Sequence, residues 1–165
     1  DMVPDSLRLL PRFLPLAWMA RHELRPRLSS RFGAEWRQTS SWSLDEPSPF
    51  EKIRILDPAP LSGVLRAAVR NLKGAYPAFQ GLQVAEEWAG MIDVTPDAVP
   101  VISGAPNLPG LILATGFSGH GFGIGLAAGQ LAADLVTAAP TAIDLQPFAL
   151  SRFFDGSKIC PVAGI

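Results

Sequence analysis

The chain is poor in charge and almost devoid of cysteine. Only 18% of its 165 residues are Asp, Glu, Lys or Arg, below the roughly 25% of an average soluble domain. The single cysteine, Cys160, excludes a disulfide framework and a multi-cysteine metal site. Fourteen cations nearly balance 15 acids, for a formal net charge of −1, so the chain as a whole has no electrostatic signature of a nucleic-acid binder. The sequence opens with Asp1 rather than Met and shows no signal-peptide apolar run. It reads as a chain that begins partway through something longer; a cytoplasmic placement is the expectation. Glycine and proline, by contrast, are plentiful. Fifteen glycines and 16 prolines are too many for a helical bundle, and 48% hydrophobic residues are too many for a disordered chain. The length suits one domain with its own core.

The sharpest absence is local. Between Gly74 and Ser151 there is no Lys or Arg, while Glu86, Glu87, Asp93, Asp97, Asp134 and Asp144 all fall there. The cations are concentrated upstream, with seven arginines between Arg8 and Arg37 against only Glu23 and Glu35. Such a face fits nucleic acid or an acidic lipid surface, the latter placing the chain peripherally at the inner membrane. A solvated helical face is the plainer reading, because no aromatic residues interleave with the arginines in a recognisable motif.

Ser6 to Leu16 has helical spacing interrupted by Pro11 and Pro15, which predicts short helical turns. Leu24, Leu28, Phe32 and Trp36 recur every fourth residue, predicting a helical stretch over 16–37 that Pro26 kinks or splits. Lys52 to Leu56 alternates like a strand. Ser62 opens a helix with Val64, Leu65, Ala68, Val69 and Leu72 on one face, ended by Gly74 and Pro77. Val84 to Val94 is a long extended run, Thr95-Pro96-Asp97 a tight turn, and Val99 to Ile102 a short strand. Gly110 to Thr115 is apolar and bounded by glycines, as in a buried central strand. Leu126 to Val136 is helical, and the tail from Asp144 is irregular, pinned by Phe148, Phe153 and Phe154.

The most informative segment is Gly116-Phe-Ser-Gly-His-Gly-Phe-Gly-Ile-Gly125, set between the apolar strand and the helix. Glycine at nearly every second position lets a ligand approach the backbone closely. A helix opening here aims unpaired N–H groups and a positive dipole end at that ligand. With no Lys or Arg nearby in sequence, this implies a ligand of anionic or electron-rich character. Gly123 to Ala128 also fits the dinucleotide pattern G-x-G-x-x-A, with Asp144 beyond it. However, seven residues separate Thr115 from Gly123, where the fingerprint needs the strand to end just before its first glycine. Ala98 to Ala133 carries no formal charge and contains successive G-x-x-x-G spacings. Its three internal prolines and polar Ser118, His120 and Gln130 argue against a transmembrane segment.

Two blocks carry a resemblance. Trp88-Ala-Gly-Met-Ile-Asp-Val-Thr-Pro-Asp-Ala-Val-Pro-Val-Ile102 and Leu108-Pro-Gly-Leu-Ile-Leu-Ala-Thr-Gly-Phe-Ser-Gly-His-Gly-Phe-Gly-Ile124 resemble the C-terminal part of FAD-dependent oxidoreductases of the D-amino-acid oxidase/dehydrogenase superfamily. That superfamily includes glycine and sarcosine oxidases. The resemblance implies an α/β (α+β mix) fold: a partial substrate or cap domain over 1–94, and over 95–165 the closing strand-turn-helix of an FAD-binding domain with its tail. It implies FAD as cofactor, an amino acid or amine as substrate, and hydride transfer from the C–H beside nitrogen to the flavin, with no metal. Thr95, Pro96, Asp97, Gly116, Ser118, Gly119, His120, Gly121, Phe122 and Gly123 become the expected cofactor contacts, with His120 lining the site rather than acting as an obligatory base. Arg54 is a weaker candidate for gripping a substrate carboxylate and Trp88 for walling a pocket. For Asp97 an Asx-type turn cap is an equal reading, for Trp88 simple packing, for Arg54 an exposed strand cation. Cys160 is expected away from the blocks, and no covalent flavin link is inferred.

Family members open with a strand and a G-x-G-x-x-G turn that hold the ADP moiety of FAD, and nothing before Leu56 fits that pattern. The expected partners are therefore FAD, a small substrate and a missing N-terminal half or second subunit. The alternative is a non-catalytic truncated paralogue, or a partner-binding module that does not retain FAD alone.

Overall fold

The first helices illustrate how proline position decides tolerance. The computed structural model describes residues 3–162 apart from 23, 25, 29 and 40; Asp1, Glu23 and Arg25, which entered the charge reading above, lie outside the described residues. Helix α1 spans Pro4–Arg8 and α2 spans Leu10–Met19. Pro11 stands in the first turn of α2, where its missing N–H has no helical partner to lose. Pro15 lies inside α2 and removes only one ladder bond, so the stretch expected as short turns begins with the five-residue α1 and continues as one ten-residue helix through both prolines. The helix predicted over 16–37 is split: α2 ends at Met19, and α3 covers Ser30–Trp36, with Pro26 in the break. Phe32 and Trp36 stack at 6.0 Å.

The chain divides into two compact units, one of residues 1–39 with 92–165 and one of residues 40–91. In the second unit, α4 (Pro49–Lys52) opens with a capping box: Glu51 N–H donates to Ser48 Oγ (3.2 Å), and Ser48 N–H to the Glu51 carboxylate (2.7 Å). That cap draws Lys52 into a helical turn, and residues 53–61 form no strand. The strand expected over 52–56 is absent because, among the described residues of this unit, no second strand offers a ladder. Helix α5 (Ser62–Ala75) places Leu65, Val69 and Leu72 half-buried with Arg66 and Arg70 exposed, and it runs through Gly74 before Pro77. The run from Val84 has an extended composition but likewise makes no ladder.

In the first unit, β1 (Val101–Gly104) pairs antiparallel with β2 (Ile112–Thr115), Val101 facing Thr115 and Gly104 facing Ile112. The connecting loop closes through Ala105 N–H to the Leu111 carbonyl (2.8 Å), with Gly110 at φ 85°. The buried central strand expected over 110–115 is thus half of a two-stranded hairpin, with Ala114 and Thr115 exposed. Helix α6 (Gly121–Thr137) packs across it. Ile102, Ala128 and Leu131 form the core, flanked by Phe117, Leu135, Leu145 and Phe148. Helix α6 begins five residues before the expected Leu126. Its first half is glycine-rich, which costs about 1 kcal/mol per glycine relative to alanine, so packing on the hairpin rather than propensity sustains it. Ala138 closes α6 in a left-handed cap at φ 54°, followed by Pro140. Arg12 over the Phe154 ring, at 5.3 Å, ties the first helices to the tail.

Candidate functional site

The start of α6 is built from a run of unusual backbone angles. Gly116, Ser118 and Gly119 have φ values of 71°, 50° and 84°, so the chain reverses direction before His120, the residue that caps the helix. A Cβ on Gly116 would stand 2.3 Å from Thr95 Cγ2, so only glycine fits there. Ser118 is 1% exposed despite its left-handed conformation. Its hydroxyl donates to the Gly116 carbonyl (3.1 Å), accepts from Thr95 N–H (3.2 Å) and lies 3.3 Å from Thr95 Oγ1. Those bonds offset the conformational cost of a non-glycine residue at that angle.

Asp93 clasps the same turn from the other side. Its carboxylate accepts from Thr115 Oγ1 (2.6 Å) and from Gly116 N–H (2.7 Å), and its carbonyl accepts from Ser118 N–H (2.9 Å). The adjoining Thr95-Pro-Asp-Ala98 segment is a hydrogen-bonded turn, Ala98 N–H donating to the Thr95 carbonyl at 3.1 Å. Asp97 caps it in the Asx manner by accepting from Val99 N–H (3.1 Å). The same carboxylate takes a bidentate ion pair from Arg152, Nε at 2.7 Å and Nη2 at 3.1 Å.

Asp97 and Arg152 side chains are only 9% and 11% exposed. Burial opposes ionisation of Asp97, but hydrogen bonds from Arg152 and Val99 and the Arg152 charge outweigh it and hold the carboxyl below its ordinary value. The ionised carboxylate therefore contributes stability that is complete above about pH 4 and is lost as pH falls through its lowered folded value. The melting-temperature gap between wild type and Asp97→Asn should accordingly close between pH 7 and pH 2; a gap that stays constant across that range would contradict this assignment.

The sequence-predicted residues fall into two sets. Thr95, Asp97, Gly116 and Ser118 are buried, with Pro96 half-buried beside them, and the polar side chains of Thr95, Asp97 and Ser118 are engaged with one another, the backbone or Arg152. Gly119, His120, Phe122 and Gly123 are exposed, Gly121 partly so. No atom stands within 4 Å of a Cβ placed on Gly119 or Gly123, and Gly121 meets only Phe117 at 3.5 Å. This open rim surrounds the first turn of a 17-residue helix; His120 N–H donates to the Phe117 carbonyl (2.8 Å) and Gly123 N–H to the His120 carbonyl (3.0 Å), which leaves the N–H groups of Gly121 and Phe122 as the donors presented by the helix start. Arg54 and Trp88 belong to the 40–91 unit. Arg54 is exposed in an irregular stretch, and Trp88, 74% exposed, lines an open apolar depression of about 240 Å³ with Leu65, Val69 and Val84.

Two residues of this constellation were not singled out in the sequence: Asp93, and Arg152 at the far end of the cation-free stretch. Asp93 lies inside the first resemblance block, five residues after Trp88, which was its only signal. Cys160 is placed differently from expectation. It is exposed but lines one depression with Asp97, Val99 and Arg152, because Val162 N–H donates to the Asp97 carbonyl at 3.0 Å and draws the tail back. Gly123 to Ala128 lies within α6 rather than at a strand-helix turn, which removes the G-x-G-x-x-A reading. Among the described residues no helix is long and apolar enough to cross a membrane, and no three His, Cys, Asp or Glu residues converge.

Thr95, Asp97, Gly116 and Ser118 thus form a buried pillar beneath an open, glycine-lined helix start. Residues 20–135 match the family described as DAO, FAD dependent oxidoreductase, and the chain belongs to that family. Among curated proteins it is 36% identical over 88 residues to D-amino acid dehydrogenase of Paramagnetospirillum magneticum, covering 53% of this chain and 21% of that protein. It is 40% identical over 90 residues to FAD-dependent oxidoreductase domain-containing protein 1 of Bos taurus, covering 53% of this chain and 18% of that one. Among solved structures, L-amino acid deaminase from Proteus vulgaris superposes with a TM-score of 0.79 at 30% identity over 92% of this chain and 35% of its own. The deaminase from Proteus myxofaciens, in complex with anthranilate, gives 0.79 at 32% identity, over 92% and 34%. The chain thus spans about a fifth of these curated relatives and about a third of these solved ones. The residues present suit the ring end of FAD: open space at Gly119 and Gly123, and N–H donors with a dipole where negative charge would gather.

Proposed function

We propose that this chain supplies the flavin-ring platform of an FAD-dependent oxidoreductase that oxidises the C–N bond of an amino acid or amine. The single observation that carries the reading is the open first turn of α6, where a Cβ built on Gly119 or Gly123 meets no atom within 4 Å, resting on buried Thr95 and Ser118. In this reading Gly119, His120, Gly121, Phe122 and Gly123 meet the ring edge. Thr95, Pro96, Asp97, Gly116 and Ser118 aim them from behind. When bound, FAD supplies the two-electron acceptor for a hydride from the carbon beside the substrate nitrogen. This chain's own part is electrostatic: preorganised N–H groups and the helix dipole stabilise negative charge on the ring edge without reorganising. His120 lines the rim; a neutral amine gives up its hydride without a protein base.

Residues 95–165 belong to the flavin side in this assignment, and part of 1–94 to the substrate side, with Arg54 and Trp88 as its candidates. Relatives named for D-amino acids and for L-amino acids share an amine beside a carboxylate, which is the substrate class we assign. The pyrophosphate cradle would come from a polypeptide carrying the remaining part of the family fold, with the assembly in the cytoplasm or on the inner membrane surface. A second reading, a partner-binding module without catalysis, draws support from the outer face of α6, where Phe122, Leu126 and Val136 are 107%, 95% and 70% exposed.

One experiment separates the two. The chain is purified alone and after co-expression with the N-terminal part of a family member, and the visible spectrum is recorded. Flavin bands are expected in the joint sample. Gly121→Val should abolish them while shifting the chain's stability by about 1 kcal/mol, since a Cβ at this position meets only Phe117, at 3.5 Å. Flavin in neither sample, or flavin retained by Gly121→Val, would refute the platform.

A further inference from the structure

Asp97 lies within the stretch that matches the family, whereas its ion-pair partner lies outside it, in the tail. Arg152 is held with unusual completeness. Besides its two bonds to Asp97, Nη2 donates to the Val99 carbonyl (2.6 Å), Nη1 donates to the Ala149 carbonyl (3.0 Å), and the guanidinium lies 4.2 Å from the Phe153 ring centroid. Four of its five N–H donors are thereby used.

The turn at Thr95–Ala98 does not need this arginine to close locally, because Ala98 N–H donates to the Thr95 carbonyl and the Asp97 carboxylate accepts from Val99 N–H. A buried ion pair is also a poor source of net stability, since desolvation consumes most of the Coulombic gain. What the fork fixes is position. The Val99 carbonyl gripped by Nη2 is the same oxygen that accepts from Thr95 Oγ1 at 2.8 Å. Thr95 in turn holds Ser118 through N–H and hydroxyl contacts, and Ser118 carries the left-handed residue that aims α6. An unbroken set of contacts therefore runs from Arg152 through Asp97 and the Val99 carbonyl to Thr95, Ser118 and the helix start.

We infer that Arg152 is a positioning residue for the flavin-facing turn, acting through Asp97 and Val99 rather than by touching the cofactor. The inference rests on the flavin reading of that turn. A planar fork is required for this role, because a lysine ammonium keeps the charge beside Asp97 but cannot span the carboxylate and the Val99 carbonyl in one plane.

The test uses Arg152→Lys in the full chain, with amide hydrogen exchange as a readout independent of flavin. The amides of Gly116 and Ser118, both bonded to Asp93, should lose tenfold or more of their protection, while those of Ile102 and Leu131 in the core lose far less. In the flavin-binding assembly the FAD dissociation constant should rise at least tenfold. In Arg152→Ala, added guanidinium ion should restore protection at Gly116 and Ser118. Equal loss of protection in core and turn would reduce Arg152 to a general stabiliser and overturn the inference. Selective loss at the turn with unchanged FAD affinity would overturn it too. If wild type binds no FAD, the functional reading fails, and the exchange pattern still decides whether Arg152 positions the turn.

Discussion

Gly116→Ala should destabilise this chain by about 2–5 kcal/mol, the largest effect expected of adding one methyl group. Two costs combine. At φ 71° a non-glycine residue costs roughly 1–2 kcal/mol. The new Cβ would also stand 2.3 Å from Thr95 Cγ2, and Thr95 cannot rotate away cheaply. Its hydroxyl donates to Val99 and faces Ser118, so turning the side chain leaves buried polar groups unsatisfied at about 1–3 kcal/mol. Thr95→Ser in the same chain removes Cγ2 and keeps the hydroxyl. The double variant should therefore recover about half of the loss in urea unfolding, leaving only the backbone cost. No recovery would place the strain elsewhere than at this contact.

Arg152→Met should cost a comparable about 3–5 kcal/mol, because it strands the Asp97 carboxylate in a site where the side chain is 9% exposed. The informative measurement is the double variant. Asp97→Asn with Arg152→Met removes the buried charge while the turn retains an acceptor for Val99 N–H, and it should return to within about 2 kcal/mol of wild type. If the single substitution costs less than about 1 kcal/mol, the pair behaves as a solvated surface contact and its role in holding the turn falls. Stability measured here is distinct from local exchange at Gly116 and Ser118: a variant can lose the first uniformly without selective loss of the second.

How much of this site is legible in the chain varies residue by residue. The glycine spacing of 116–125 announces a close approach to the backbone and a helix start, because glycine is the residue that tolerates both. The helix itself is harder to bound. Gly121, Gly123 and Gly125 lower its local propensity, so its signal begins at Leu126, while packing of Ala128 and Leu131 on Ile102 extends it back to Gly121. The Ile112–Thr115 segment has the composition of a buried strand, yet in this chain two of its residues are exposed, since composition records what a strand is made to face and not what is present to cover it. The alternation at 52–56 fails as a strand for a related reason: a ladder needs a partner, and the Ser48–Glu51 cap competes for Lys52.

The division of the candidate residues into a buried set and an open set is likewise invisible to spacing. Gly116 and Gly119 look alike in sequence, but one backs onto Thr95 and the other onto open space. Asp93 and Arg152 escaped notice because each works through partners 23 and 55 residues away. Distances of that kind are set by how the hairpin, the turn and the tail fold together.

By itself, then, the order of residues determined the family, the glycine turn, and the absence of Lys and Arg between residues 74 and 151. Those are local properties: glycine's freedom at positive φ, the dipole of a helix start, the charge of each side chain. Only the tertiary structure decided which of the candidate residues are pillar and which are rim, that the hairpin is antiparallel, and that the cation missing from the sequence neighbourhood arrives from the tail already neutralised by Asp97. Those depend on contacts between segments far apart in the chain, where burial makes an ion pair, a hydroxyl bridge or a single methyl group cost several kilocalories and so admits one arrangement.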